Sequence, residues 1–293
     1  MTPRFEAFAL RKEREALAAV IPGYTTVDVA ATDGLTACGN SWTENLFDGP
    51  FYRSVAPVGD GLPTVSLVFV ESLDGDTVAD DPSTLGGGQT DLHLIYEGLS
   101  RVDADAVMAG SITARGREMA FSVWHPELVA LRRSRGKPRH PAQVIVTERG
   151  NLRFDDALIF LEPQLRVFVV AHSAAVPDVT ARIGGRKWIE VIDAGEPMSM
   201  SHALRELRRC GIEVLSCVGG PRTATALIDE ELVQDVYLTT SAHRGGKPGT
   251  PFYSGPALSY QRVLLKTGRG VEQGVTFAHL RLSRRFEDSM PRV

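Results

Sequence analysis

Residues 212–235 constrain the fold of this chain more than any other stretch. Ile212-Glu213-Val214-Leu215-Ser216-Cys217-Val218 is short, apolar and rich in β-branched residues, the pattern of a buried strand. Gly219-Gly220 follows at once, and Pro221 then stands where the first residue of a helix tolerates a missing N–H. Residues 222–228 suit the helix itself. The order is strand, tight glycine turn, helix amino terminus. Two glycines remove the Cβ atoms that would keep a ligand off the backbone. The first N–H groups of a helix have no partner within it, and a phosphate is the common guest of such a cradle. A plain strand-to-helix turn uses the same residues, so the rest of the chain decides between the two.

A second turn of this kind follows Asp105-Ala106-Val107-Met108-Ala109, another apolar strand. It reads Gly110-Ser111-Ile112-Thr113, with hydroxyls able to cap a helix or meet a phosphate. Two glycine turns in one sheet suit an extended dinucleotide. Neither carries the three spaced glycines of the dinucleotide fingerprint, so an ordinary Rossmann domain is not expected. Residues 64–70 form a third strand, apolar almost throughout and therefore buried on both faces. It ends in Glu71-Ser72-Leu73-Asp74-Gly75. Residues just past a strand's carboxyl end face the ligand crevice of an open α/β sheet, which makes Asp74 a site candidate. A turn aspartate before glycine is the plainer alternative.

The remaining pattern alternates. Residues 91–102 predict a helix with Leu92, Ile95, Tyr96 and Leu99 inward. Residues 121–141 are basic and irregular, a surface helix and loop. Strands are expected at 143–147, 167–171, 188–192 and 233–240. Residues 199–210 predict an amphipathic helix on Met200, Ala203, Leu204 and Leu207, stopped by Gly211. His243 to Gly249 reads as a mobile basic loop, and 260–267 with 274–282 as a closing antiparallel hairpin. Together these define an α/β domain with a mixed sheet over 63–283. Residues 1–62 read as an N-terminal extension, helical over 5–21 and then irregular, packing on the main domain or on a partner subunit. Residues 284–293 are a tail.

Composition narrows the chemistry. The chain has 293 residues, 43% apolar and 23% charged, as in ordinary globular proteins. A net charge of −4 leaves no nucleic-acid footprint. No apolar run has the length of a membrane span, and Met1-Thr2-Pro3-Arg4-Phe5-Glu6 has no apolar signal region. Three scattered cysteines fit a reducing cytoplasm, with Cys210 and Cys217 as buried small hydrophobes. The seven histidines show no metal-ligand spacing. The acid pairs Asp80-Asp81 and Asp155-Asp156 read as solvated turns. No serine elbow or Walker loop is present. A phosphate cradle with few ionisable groups suits a cofactor that brings its own reactivity, such as a nicotinamide.

The segments Ser72-Leu73-Asp74-Gly75, Arg101, 105–113, Val218-Gly219-Gly220-Pro221 and Leu232-Val233-Gln234-Asp235 stand in the order and spacing of a known family. Over about residues 63–283 the chain resembles the reductase domain of bacterial riboflavin biosynthesis. The resemblance implies a dihydrofolate reductase-like fold, a mixed sheet flanked by helices with a C-terminal antiparallel hairpin. It implies a homodimer, NADPH as hydride donor, and reduction of the ribosylamino group of a phosphorylated pyrimidine. It implies that Gly110, Ser111, Thr113, Thr147, Val218, Gly219, Gly220, Pro221, Arg222 and Thr223 line the cofactor. Arg101 would hold the substrate phosphate, Ser72 and Asp74 would bind the substrate, and Asp74, at the junction of cofactor and substrate, would be catalytic. Residues 1–62 lack the zinc signature of the deaminase domain found beside such reductases.

Two departures fall on the substrate side. Val218 stands where the family usually has Glu, and Arg115-Gly116-Arg117 where it often has an acid followed by Asn-Pro or Asp-Pro. A same-fold NADPH reductase of another small heterocycle or carbonyl, pterin-like included, is therefore a second reading. A non-catalytic NADPH-binding protein is a third. A folate-type activity would favour an acid on the first helix, where Asp91 and Glu97 are the candidates. Arg115, Arg117, Arg149 and Arg222 are the cations within reach of a cofactor 2′-phosphate.

Overall fold

Strands and helices alternate along the chain as its hydrophobic patterning requires. A computed structural model describes residues 1–30, 32–55, 61–79 and 85–283. The 284–293 tail, Asp80-Asp81 and residues 82–84 lie outside these described residues. From the amino terminus come α1 (Pro3–Ala18), β1 (Tyr24–Val29), β2 (Leu35–Cys38), α2 (Ser41–Phe47) and β3 (Phe51–Ser54). Next are β4 (Thr64–Glu71), α3 (Gly88–Thr90) running on as a wide π-helix (Asp91–Leu99), β5 (Ala106–Gly110), α4 (Pro126–Ser134) and β6 (Ala142–Thr147). Then follow α5 (Leu158–Leu161), β7 (Val167–Ala171), α6 (Val176–Ile183), β8 (Ile189–Asp193), α7 (Met200–Arg209) and β9 (Val214–Cys217). The chain closes with α8 (Pro221–Asp229), β10 (Asp235–Thr240), β11 (Tyr260–Gly268) and β12 (Thr276–Leu282).

Ten strands form one sheet in the order β1-β11-β12-β10-β4-β9-β5-β6-β7-β8. From β10 to β8 neighbouring strands are parallel. β12, β11 and β1 continue it antiparallel, so the expected hairpin is part of the sheet. The parallel centre is apolar on both faces, as strands covered by helices on both sides must be. Val68, Val107 and Val169 face a core shared with α1, the π-helix and α6. Leu67, Met108 and Val170 face a second core shared with α7 and α8. Each such side chain, fully buried, contributes roughly 1.5–3 kcal/mol of transfer free energy.

The two faces decide where a ligand sits. The connection from β4 to β5 crosses one face through the π-helix, whose Leu94, Ile95 and Leu99 enter the first core. The connection from β9 to β10 crosses the other face through α8, whose Ala224, Leu227 and Ile228 enter the second. β4 and β9 are neighbours, so their carboxyl ends diverge to opposite faces and leave a crevice between them.

Residues 24–54 are not irregular. β2 and β3 pair as a small ribbon, and β1 pairs with β11 at the end of the main sheet. Thr25, Thr26 and Asp28 dilute the apolar signal of β1 because an edge strand wets one face. The extension packs on the main domain of its own chain. Phe5 meets the His140 ring edge-on at 5.3 Å and Phe8 the Trp124 ring at 5.4 Å. Asp235 ties β3 to the sheet: its carboxylate accepts from Ser54 N at 2.8 Å, from Ser54 Oγ at 2.9 Å, and meets His279 Nε2 at 2.8 Å.

The helix after β4 departs from its predicted face. Ser100 N donates to Ile95 O, five residues back, so the turn is wider than an α-turn. The wider turn rotates Leu92 outward, where it is 44% exposed, and brings His93 and Leu94 inward.

The buried Asp235 group yields a stability prediction. Asp235→Ala strands the Ser54 N–H and hydroxyl without acceptors, which should cost about 2–4 kcal/mol. Urea unfolding of variant and wild type checks this through the midpoint at unchanged slope. An unshifted midpoint would show that the extension is held by packing alone.

Candidate active site

The two glycine turns lie against each other. β9 ends in Val218, and the backbone then passes through Gly219 at φ 140° and Gly220 at φ 88°, conformations that side-chain-bearing residues rarely adopt. Beside them β5 ends in Gly110, whose N–H donates to Gly219 O at 3.1 Å. A Cβ on Gly110 would come within 3.0 Å of Thr223 Oγ1. A Cβ on Gly219 would lie 3.6 Å from Thr113 Oγ1. The hydroxyls of Thr113 and Thr223 thus flank the paired glycines.

The amino terminus of α8 opens onto this turn. α1 is capped by Thr2, α4 by His125, and α7 by Ser199. At α7, Glu230 also accepts from the N–H groups of Met200 and Ser201, both at 2.7 Å. The amino end of α8, with Pro221 in its first turn, has no side-chain cap. Arg222 is exposed in that turn and Thr223 is buried.

Other turns extend the row along the carboxyl edge. Ser111 N donates to Val146 O at 2.9 Å, which joins the β5 turn to the end of β6. There Thr147 Oγ1 accepts from Gly150 N at 3.0 Å and shapes the next turn. On the other side of β9, at the end of β4, Ser72 is buried, and its Oγ accepts from the N–H groups of Asp74 at 3.2 Å and Asp76 at 3.3 Å. Asp74 is exposed at the tip, ion-paired with Arg244, and accepts from Gly245 N at 3.1 Å. The structure thus brings Gly110, Ser111, Thr113, Thr147 and residues 218–223 to one edge, with Ser72 and Asp74 one strand further on.

Arg101 is not brought there. The chain around it is pinned by Arg132, whose guanidinium donates to the carbonyls of Arg101, Val102 and Ala104, just before β5 begins. Its own Nη1 donates to Ser122 O at 3.0 Å, and its guanidinium lies over the rings of Tyr96 and Phe121. Arg101 is thus a buried cation at the amino ends of the strands, opposite the glycine turns. Sequence spacing shows which helix carries an arginine but not that the helix runs back to the far edge.

Val218 contributes its backbone and an apolar wall. It is buried, and its N–H donates to Met108 O at 2.9 Å. Of the two acids on the first helix, Glu97 accepts from the N–H groups of Trp124 at 2.9 Å and His125 at 3.0 Å, a structural role. Asp91 is buried and accepts from the Thr239 hydroxyl on β10. Burial pushes its carboxyl up to about 7; the Thr239 hydroxyl lowers it and Glu272 raises it. Glu272 in turn accepts from Gln89 N at 2.6 Å and Thr90 N at 3.2 Å at the helix start. Among the described residues no group of histidine, cysteine or acid side chains is arranged to hold a metal.

A mixed sheet, parallel at its centre, flanked by helices and closed by antiparallel strands, defines an α/β protein of the dihydrofolate reductase-like class. The chain belongs to the RibD C-terminal domain family, whose model matches residues 63–272. It is 26% identical over 178 residues to the 2,5-diamino-6-ribosylamino-4(3H)-pyrimidinone 5′-phosphate reductase of Archaeoglobus fulgidus, covering 60% of this chain and 78% of that one. Among solved structures it is similar to a pyrimidine reductase-like protein from Corynebacterium diphtheriae, with a TM-score of 0.65 and 18% identity over 83% of this chain and 98% of that one. It is also similar to the riboflavin biosynthesis reductase of Saccharomyces cerevisiae, with a TM-score of 0.54 and 16% identity over 79% and 93% of the two chains. These structures share its fold.

The state of Asp91 gives a pH prediction. Below about pH 4 its carboxyl is protonated in folded and unfolded chains alike. As the pH rises towards 7 the unfolded chain releases this proton while the folded chain keeps it, so stability falls across that window and then levels off. Asp91→Asn removes this loss. The stability difference between variant and wild type, from urea unfolding, should grow by upward of about 1 kcal/mol between pH 4 and pH 7. A difference that stays flat over the window would mean that Asp91 is ionised in the folded chain at low pH.

Proposed function

We propose that this chain is an NADPH-dependent reductase of a phosphorylated ribosylaminopyrimidine, acting at the ribose C1′. The observation that carries the reading is the pairing of two glycine turns beneath a helix terminus that no side chain caps. That arrangement fits a pyrophosphate: bare backbone on one side, free N–H groups and the α8 dipole on the other. Thr113 and Thr223 supply hydroxyl donors next to it, and Ser111 and Thr147 lie towards the adenosine side of the row. Of the four cations named for a 2′-phosphate, Arg117 pairs with Asp156, whereas Arg115, Arg149 and Arg222 are exposed at this edge.

When bound, NADPH supplies the hydride. The protein's own residues position the reactants, which such a transfer needs more than strong acid–base catalysis. Val218 forms an apolar wall beside the glycines. Ser72 fixes the turn that presents Asp74, and Asp74 orients the opened sugar or relays its proton. The name of the archaeal relative, a reductase of a 5′-phosphate substrate, supports this reading. A C2 homodimer in a reducing cytoplasm belongs to the same reading. No helix among the described residues is long and apolar enough to cross a membrane.

One observation favours the same-fold reading on another heterocycle. Val218 offers no acceptor where the family usually has Glu, whereas Asp91 is a buried acid on the first helix. If the wild type fails on the phosphorylated ribosylaminopyrimidine and Val218→Glu restores turnover, the pocket is a riboflavin-type site retuned for another ligand.

Fluorescence titration should show NADPH binding that Gly220→Val abolishes, because a branched Cβ fills the space between backbone and pyrophosphate. A thermal melt of the variant confirms folding. Undiminished binding by the folded variant would remove the cradle from the argument. Light scattering at micromolar protein should report twice the chain mass; a monomer would refute the dimer.

A further inference from the structure

We propose that α1 braces the turn that follows β5, with Arg4 and Arg11 as positioning residues that hold Thr113 where it meets the cofactor. The inference rests on the reading that the paired glycine turns take NADPH. It gives a part in that site to a helix that lies before residues 63–272, the stretch matched by the family model.

The turn has little regular structure of its own. After Gly110 the chain makes a single 3-10 turn over Thr113–Arg115, where Arg115 N donates to Ile112 O at 3.2 Å. Residues 116–120 then run in neither helix nor strand. Order returns at Phe121, whose N–H and carbonyl both bond to the Gln143 side chain, at 2.8 and 2.9 Å. A segment with so few fixed backbone groups opens readily unless something outside it holds it. Its placement matters, because Thr113 closes one side of the cradle: a Cβ on Gly219 would lie 3.6 Å from the Thr113 hydroxyl oxygen.

α1 supplies that hold. Arg4 Nη2 donates to Arg117 O at 3.1 Å, and its Nη1 to Asp156 O at 2.9 Å. Leu158 N donates to the same Arg117 carbonyl at 2.9 Å. One carbonyl thus gathers the β5 turn, α1 and the start of α5. About two helical turns further on, Arg11 Nη1 donates to Glu118 Oε2 at 3.0 Å. Both arginines start from a fixed backbone. The opposite face of α1 is buried through Phe5, Phe8 and Ala16. Beside Arg4, Thr2 N and Thr2 Oγ1 both donate to Glu162 Oε2 at 2.8 Å, and Glu162 is buried. The planar fork of Arg4 spans carbonyls on two loops, which a single ammonium does not. Exposed contacts of this kind add little to the stability of the whole fold. Their effect is local: they fix residues 115–118, and through them Thr113.

Two measurements on the full chain test this. The first needs no ligand: amide hydrogen exchange read by mass spectrometry. In Arg4→Ala the amides of residues 111–120 should exchange about 3- to 10-fold faster than in the wild type, with α7 and the melting temperature unchanged. Arg4→Ala/Arg11→Ala should be faster again, and Arg4→Lys should recover part of the protection. Equal exchange over 111–120 in Arg4→Ala and wild type overturns the brace. The second is fluorescence titration with NADPH. Arg4→Ala should bind about 3- to 10-fold more weakly than the wild type. In a Thr113→Val background the same substitution should cost nothing further, because the hydroxyl that it positions is gone. A loss as large in that background as in the wild type overturns the action through Thr113. If the wild type itself binds no NADPH, the cofactor reading falls, while hydrogen exchange still decides whether α1 holds the turn.

Discussion

One backbone contact organises the site: the Gly110 N–H donates to Gly219 O. It joins the ends of two strands that are distant in the chain. β5 forms early in the sequence, and β9 arrives only after three further strands have been laid down beside it. β9 then inserts between β4 and β5. The close approach of the two turns requires residues without side chains on both. Gly219 and Gly220 hold positive φ, and a Cβ on Gly110 would press on Thr223. Because β9 leaves to the opposite face from its neighbours, the same insertion opens the crevice and places α8 with its terminus towards it.

The two edges of the sheet divide structure from chemistry. At the amino ends, buried polar groups close on one another: Arg132 on three carbonyls, Ser54 and His279 on Asp235, Ser100 on Ser216. Such networks are costly to break. At the carboxyl ends the polar groups are hydroxyls, N–H groups, exposed cations and the carboxylates of Glu71 and Asp74. A motif read from sequence carries no label for its edge. Arg101 and Asp235, in segments that resemble those of the reductase family, both lie at the amino ends of the strands.

Much of the fold was legible because helix-covered parallel strands are nearly all apolar and stand out from their surroundings. The amphipathic α7 was equally plain, with Met200, Ala203, Leu204 and Leu207 buried as its spacing predicts. What escaped has specific causes. β1 is an edge strand whose Thr25, Thr26 and Asp28 mask its alternation. The π-helix breaks the 3.6-residue period on which the inward set at 92–99 was based, so Leu92 and Leu94 exchange places. The glycine turns were visible as motifs, but their pairing depends on strand order, which spacing does not encode. Asp91 was weak as a sequence signal because its partner, Thr239, is distant in the chain.

The substitution at 218 gains a physical meaning from this layout. Valine places an apolar face beside the glycine cradle and removes an acceptor from β9. The acids near the carboxyl edge then stand on the β4 and β10 side. Asp74 lies at the loop tip, and Glu71 accepts from the Thr240 hydroxyl, its carboxyl raised by burial. Asp91 adds a third acid beneath Thr239. On the proposed reading, a heterocycle entering the crevice meets its acceptors on that side and only carbon on the β9 side. A ring with donors on one edge and an apolar opposite edge suits such a pocket better than one with donors all round. On that reading the cradle and the pocket are separable: the glycine turns hold the cofactor, while the residue before them selects the ring that is reduced.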